Sequence, residues 1–303
     1  MTTAFVLSGG GSLGAVQVGM LRALAERHVE PDLLVGASAG ALNAAFVAGR
    51  GFTPETLDEL TEIWCSLRRQ DVFAFAPHRQ LLALAGARPS LCAPDGLRRL
   101  ITRHVEYPRL EDAVLPVHVV ATDVLSGREV VLSTGDPVPA VLASAAIPGV
   151  FPTVTVDGRA LFDGGVADNT PISQAVALGA DRIYVLPAGV ACALPSPPRS
   201  AVATAVHALT LLIEQRLMLE VAAYQGEVEL IVLPPLCPLS VASIDFRSAR
   251  SLIERAETAT SRWLEAGNHR LRHPERFLAL HQHPRSAPPT QDAALPLTAD
   301  LGR

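Results

Sequence analysis

The pentapeptide Gly36-Ala37-Ser38-Ala39-Gly40 fits G-x-S-x-G, in which a serine sits on a sharp strand-to-helix turn that tolerates only small neighbours. At such a helix start the backbone N–H groups and the helix dipole favour the alkoxide that develops when the hydroxyl attacks an ester. Small residues after a strand also serve ordinary packing. The setting of Ser38, an apolar run before it and a helical pattern after it, gives the pentapeptide its chemical meaning. A second candidate is Gly9-Gly10-Gly11-Ser12-Leu13-Gly14. It matches G-x-G-x-x-G, which in isolation suggests a dinucleotide site. Such a fold places an acidic residue at the end of its second strand to hold the ribose, and here that strand runs into the serine turn. The better reading is an anion cradle. The three consecutive glycines Gly9, Gly10 and Gly11 permit unusual backbone angles, so that successive N–H groups turn toward one point where an oxyanion can sit, with Ser12 and Gly14 completing the motif.

A serine nucleophile needs a base, and the carboxylates at strand ends are Asp123, Asp163 and Asp168. Asp163 follows Leu161-Phe162 and precedes Gly164-Gly165, so its backbone can approach another segment with no side chain between. A semi-apolar setting raises a carboxyl pKa and makes it a better acceptor for the serine proton. On the residues alone, an Asx turn at Asp163-Gly164 is an equal reading. A hydrolase triad would add a histidine after the aspartate, and His207, His269, His273, His281 and His283 follow Asp163. His207 falls in an apolar helical pattern and the others lie in or near the C-terminal segment, so a triad histidine is disfavoured.

Both candidate motifs must be carried by strands that end beside one another. Residues 3–8 form an apolar run before the glycines, and Leu13, Val16, Met20, Leu21 and Leu24 then recur at helical spacing. Leu33-Leu34-Val35 leads into the serine turn, and a helical pattern follows as far as Gly49. Thr53-Pro54 marks the start of a helix running to about Leu67. Residues 117–124 and 129–132 flank Ser126-Gly127, and residues 154–156 and 160–162 flank Asp157-Gly158, so each pair predicts a hairpin. Helices are expected at 138–146, after Pro171, and at 203–224, with strands at 183–186 and 228–233. This alternation predicts an α/β three-layer sandwich, a mostly parallel central sheet flanked by helices.

Hydrophobic residues make up 49% and charged residues 18% of the 303 positions, the composition of a packed globular chain. A net charge of -5 provides no attraction for phosphates, which argues against nucleic acid as a partner. Cys65, Cys92, Cys192 and Cys237 are widely spaced and read as buried thiols, with neither a zinc site nor a dithiol motif. The start of the chain reads as a first strand and not a leader, and no apolar stretch is long enough to span a bilayer. The expectation is a cytoplasmic protein with at most weak peripheral membrane contact. One domain over residues 4–267 is expected, followed by a polar, Pro- and His-rich, disordered tail over 268–303. Residues 72–91 read as a packed connection or a mobile cap over an acyl groove, and the 203–224 helix as a core element or an acyl-pocket wall.

Taken together, the glycine loop on the first strand, the serine turn on the second and the later Asp163-Gly164-Gly165 resemble the patatin-like phospholipase family. Ala121-Thr122-Asp123-Val124 and the segment from Ala143 to Pro152 also look like family segments, so the resemblance spans residues 4–190. It implies that Gly9 to Gly14 form an oxyanion hole, that Ser38 is the nucleophile and that Asp163 accepts its proton. It further implies hydrolysis of carboxylic esters of lipids through an acyl-enzyme, with no cofactor or metal. Many members carry Arg or Lys where this chain has Leu13, which bears on headgroup preference. An acyltransferase using the same dyad and a non-catalytic lipid- or partner-binding module are the alternatives. Oligomeric state is not legible.

Overall fold

The computed structural model describes residues 1–73, 81–83, 85–194, 196–224, 226–270 and 278. Strands β1 (Thr3–Leu7), β2 (Leu33–Ala37), β3 (Val117–Asp123), β4 (Glu129–Leu132), β5 (Val154–Val156), β6 (Arg159–Asp163), β7 (Arg182–Leu186) and β8 (Glu229–Val232) form one sheet. Its order is β5-β6-β3-β2-β1-β7-β8, with β4 also paired to β3. The run β3-β2-β1-β7-β8 is parallel, whereas β4, β5 and β6 join antiparallel through the two expected hairpins. Asp157 and Gly158 both have positive φ, at 48° and 76°, as a two-residue turn matched to strand twist requires.

Alternation along β1 divides the interior in two, because successive side chains point to opposite faces of the sheet. Phe5 and Leu7 face one apolar cluster, and Ala4 and Val6 face the other. The first cluster is covered by α1 (Gly14–Ala25), α2 (Ala39–Arg50), α3 (Pro54–Ser66), the short α4 (Arg69–Val72), α5 (Asp95–His104), α6 (Pro137–Ser144) and α9 (Ala249–Glu265). The second is covered by α7 (Ile172–Ala177) and α8 (Ala201–Tyr224). This is the predicted three-layer arrangement. Helix α1 is buried on nearly every side because it lies between the sheet and α9. Full burial of a side chain such as Phe5 or Leu24 contributes about 1.5–3 kcal/mol. Leu217 and Val221 seat α8 on the second cluster while Leu212 and Leu219 are exposed, so the helix is a core element with an open outer side.

Two further expectations met the structure differently. Residues 271–277 and 279–303 of the expected tail lie outside the described residues, but Asn268–Arg270 form a turn and Leu278 is buried in the second cluster. Part of that segment therefore packs on the domain, drawn by its aliphatic side chain. Residues 74–80 and 84 of the expected cap also lie outside the described residues.

The register of β3 positions the chemistry. Ala37, the last residue of β2, pairs with Val120, and Asp163, the last residue of β6, pairs with Ala121. Two strands from distant parts of the chain thus end one residue step apart along a third.

Candidate active site

Ser38 links β2 to α2 with φ 52° and ψ -121°, a backbone state that costs a β-carbon-bearing residue energy and that the surroundings must hold in place. Two features hold it. Gly40 lies so near β1 that a Cβ there would sit 2.1 Å from the Leu7 carbonyl oxygen, so only glycine lets α2 start at this point. Gly36 is pressed against the Gly40 carbonyl in the same way. The amide of Ser38 donates to Ser144 Oγ at 2.9 Å, and the Ser144 hydroxyl donates in turn to the Val120 carbonyl at 2.6 Å. Ser144 is fully buried at the end of α6, so a strained amide that would otherwise be orphaned is satisfied from a neighbouring layer.

The hydroxyl of Ser38 donates to Asp163 Oδ2 at 2.7 Å. The other carboxylate oxygen accepts from the Gly165 amide at 2.8 Å. Thr122 braces the turn, its hydroxyl donating to the Asp163 carbonyl at 2.9 Å and accepting from the Ala167 amide at 3.1 Å. Gly164 is packed on the Val120 carbonyl, with no room for a side chain. Burial pushes the Asp163 carboxyl up to about 6, and the hydrogen bonds from Ser38 and Gly165 only partly oppose that rise. Asp163 does make the Asx-type contact foreseen as its alternative, through one oxygen, and it meets the serine through the other. Among the described residues no histidine is bonded to either partner. His207 lies on α8, across the sheet, and His273, His281 and His283 lie outside the described residues.

The glycine loop is held from both sides. Gly9 donates its amide to the Asn169 carbonyl at 3.1 Å, and Asn169 Nδ2 donates back to the Gly9 carbonyl at 3.3 Å. Ser12 donates its amide to the Ser243 carbonyl at 2.8 Å and its hydroxyl to the Ala242 carbonyl at 3.1 Å. Gly14 donates to carbonyls of its own turn. The amides of Gly9, Ser12 and Gly14 are therefore engaged, whereas those of Gly10 and Gly11 have no acceptor among the described residues. Gly11 adopts φ 58°, and a Cβ there would sit 2.3 Å from the Ser243 carbonyl oxygen. Below the loop, Gln17 Nε2 donates to the Ser8 and Leu186 carbonyls at 2.7 and 2.9 Å. Asn43 donates to Gln17 and to the Gly14 carbonyl, and it accepts from Trp64 Nε1 at 2.8 Å. Every polar group of this buried network finds a partner, which is what lets it rigidify the loop. Leu13 is fully buried in the apolar cluster and so adds packing at the position where a cation was noted as missing.

A cavity of about 750 Å³, counting its open mouth, reaches Gly11, Ser38 and Ala39. Its walls are carbon-rich, with Leu42 and Phe46 of α2, Leu60 and Trp64 of α3, Phe73, Phe151 and Phe246. Ala39 is the first residue of α2, so its amide has no partner within the helix.

A family-level profile described as patatin-like phospholipase matches residues 5–176, which include the glycine loop, the serine turn and Asp163. The chain belongs to the patatin-like phospholipase family. Among patatin-like relatives, an uncharacterized NTE family protein of Mycobacterium tuberculosis is 32% identical over 179 residues, covering 59% of this chain and 46% of that protein. Patatin-like phospholipase domain-containing protein 7 of Mus musculus is 30% identical over 188 residues, covering 61% of this chain and 13% of that protein. The chain thus spans less than half the length of these relatives. Among solved structures, VipD from Legionella pneumophila is 14% identical with a TM-score of 0.42, over 86% of this chain and 67% of that one. Human GIVD cytosolic phospholipase A2 is 12% identical with a TM-score of 0.40, over 92% and 60%.

Sequence reasoning noted Thr122 and Ser144 only as parts of family-like segments, without a role, and missed Asn169 and Ser243. Ser144 stands in a run of alanines and Asn169 beside a candidate carboxylate, but nothing local to them specifies a partner. The remaining strand-end candidates go elsewhere. Asp123 caps its own hairpin turn through Leu125 and Ser126, and Asp168 points toward α8.

Proposed function

We propose that this protein hydrolyses carboxylic esters of lipids, with Ser38 as nucleophile and Asp163 as its only proton acceptor. The observation that carries the proposal is the 2.7 Å hydrogen bond between the strained serine and a buried carboxylate at the floor of an apolar cavity. Asp163 Oδ2 takes the hydroxyl proton as Ser38 Oγ attacks the ester carbon. The amides of Gly10 and Gly11, with that of Ala39, receive the oxyanion. Collapse expels the alcohol, which takes the proton from Asp163 and leaves an acyl-serine. Water then loses a proton to the same carboxylate, attacks the acyl carbon, and collapse returns the proton to Ser38. A carboxyl near 6 is mostly ionised at neutral pH yet basic enough to accept a proton, so burial serves the chemistry directly.

The acyl chain lies along α2. Leu42 and Phe46 follow Ser38 at helical spacing, and the ring of Phe46 stands 6.3 Å from that of His104. From Ser38 to Phe46 the helix rises about 12 Å, which sets the depth available to the chain. Burial lowers the His104 pKa, which disfavours a charged imidazole at that end of the cavity. Among the described residues no helix is long and apolar enough to cross a membrane, and the enzyme is proposed to meet its lipid from the aqueous side with weak peripheral contact. The test is reaction with an alkyl fluorophosphonate followed by peptide mapping, beside turnover of p-nitrophenyl esters of increasing length. A stoichiometric adduct on Ser38 is expected. Folded protein that neither labels nor turns over would refute the proposal.

A further inference from the structure

Two thiols that are far apart in sequence converge on the segment that grips the glycine loop. Cys192 lies after β7 and Cys237 after β8, parallel neighbours in the sheet, so the loops leaving their ends emerge side by side. The loops are stitched together where the cysteines stand. Ala193 donates its amide to the Leu239 carbonyl at 2.9 Å, and Leu239 donates its amide to Cys192 Sγ at 3.4 Å. Cys237 stands two residues before Leu239, so this stitch brings its stretch against Cys192, whose thiol together with burial pushes the Cys237 thiol up. Both residues are half-buried, as is Cys65, but only these two share a pair of stitched loops; Cys92 is buried among apolar side chains.

The same segment continues to Ala242 and Ser243, whose carbonyls accept from the Ser12 hydroxyl and amide. Ser243 also presses on Gly11 at the cavity wall. A covalent link at Cys237 would restrain the stretch that leads into this grip. We propose that Cys192 and Cys237 form a reversible disulfide that tightens the hold of residues 237–243 on the glycine loop. With a disulfide oxidant such as oxidised glutathione, the thiolate of Cys192 attacks the oxidant's sulfur and expels one glutathione thiolate, while the Cys237 thiol stays protonated beside it. The second cysteine, losing its proton to water, attacks the mixed disulfide and expels the other. One S–S bond forms in the protein as one is broken in the oxidant, and two glutathione thiols are released.

The experiment treats the full folded chain with oxidised glutathione, alkylates the remaining thiols and maps peptides by mass. The expected result is an intramolecular Cys192–Cys237 crosslink, reversed by dithiothreitol, with Cys65 and Cys92 still alkylated. Glutathione left attached as the only product, or crosslinks through Cys65, Cys92 or a second chain, would overturn the proposal. Cys237→Ser should block the crosslink and leave the mixed disulfide on Cys192. Amide hydrogen exchange tests the second half of the claim without depending on catalysis. Exchange at the Ser12 amide should slow at least about twofold on oxidation of the wild-type chain and stay unchanged in Cys237→Ser. Equal exchange in reduced and oxidised wild-type protein would overturn the coupling to the glycine loop.

Discussion

Asp163 and Asp168 are five positions apart, both are buried, and burial raises the pKa of both, yet they serve opposite faces of the sheet. Asp163 lies behind Ser38, which lines the cavity, and Ser38 and the Gly165 amide fill its two oxygens with donors. Asp168 faces α8. One of its oxygens accepts from Ser173 at 3.2 Å and the other finds no donor among the described residues. Its neighbour there is Glu220, which also has an oxygen without a donor and is paired through the other with Arg216 at 2.9 Å. Two apposed carboxyls of this kind are satisfied only if a proton is shared between them; burial raises both, with repulsion from Asp168 adding to the rise at Glu220 and repulsion from Glu129 to that at Asp168. The lesson is that a raised carboxyl pKa does not by itself mark a catalytic centre. What separates the two aspartates is a strained serine at a cavity on one face and a packed helix on the other.

That contrast can be broken most directly by removing each partner. Ser38→Ala and Asp163→Asn should each reduce ester turnover by at least about 10³-fold with the fold retained by circular dichroism, while Asp168→Asn should stay within about twofold of the wild type. Comparable losses at Asp163 and Asp168 would erase the distinction. Occupying the cavity face should alter selectivity next. Leu42→Trp is expected to lower the ratio of long- to short-chain ester hydrolysis by about 10–200-fold, measured as kcat/KM over a chain-length series.

The pH dependence sharpens the same comparison. Turnover should rise as Asp163 ionises, with an apparent pKa near 6 in kcat/KM, and this inflection should persist in Asp168→Asn. For stability the sign is the same at both aspartates. The folded state binds the proton more tightly than the unfolded chain, so the stabilisation from protonation is complete below the unfolded pKa of 3.8 and is lost as pH rises through the folded value. Asp168→Asn should accordingly raise Tm relative to the wild type at pH 8, with the difference shrinking toward pH 4. The smallest effect is expected at Ser144→Ala, which leaves the Ser38 amide without its acceptor. A loss of about 1–3 kcal/mol in urea unfolding is expected, with fluorophosphonate labelling slowed but still at Ser38.

Much of the α/β alternation was legible because each element announces itself over a few residues. Thr53-Pro54 caps α3, with the Thr53 hydroxyl accepting from the Thr56 amide, and Asp157-Gly158 makes its turn through positive φ at both positions. The serine turn was legible for the same reason, since small residues between a buried strand and a helix form a local pattern. The placement of the glycine loop between β1 and α1 was legible, whereas the engagement of its amides was not. Glycine permits an amide to turn, but whether it is already engaged depends on Asn169 and Ser243, which are supplied from elsewhere in the chain. The thiols were read as isolated because β7 and β8 become neighbours only in the folded sheet.

The sequence by itself determined where a strained serine and a glycine loop must lie, since backbone propensity and hydrophobic period act over only a few residues. Which carboxylate meets the serine was decided by tertiary structure. Asp163 lies 125 residues from Ser38, and they touch because β2 and β6 end one step apart along β3, a register set by burying both faces of the sheet together.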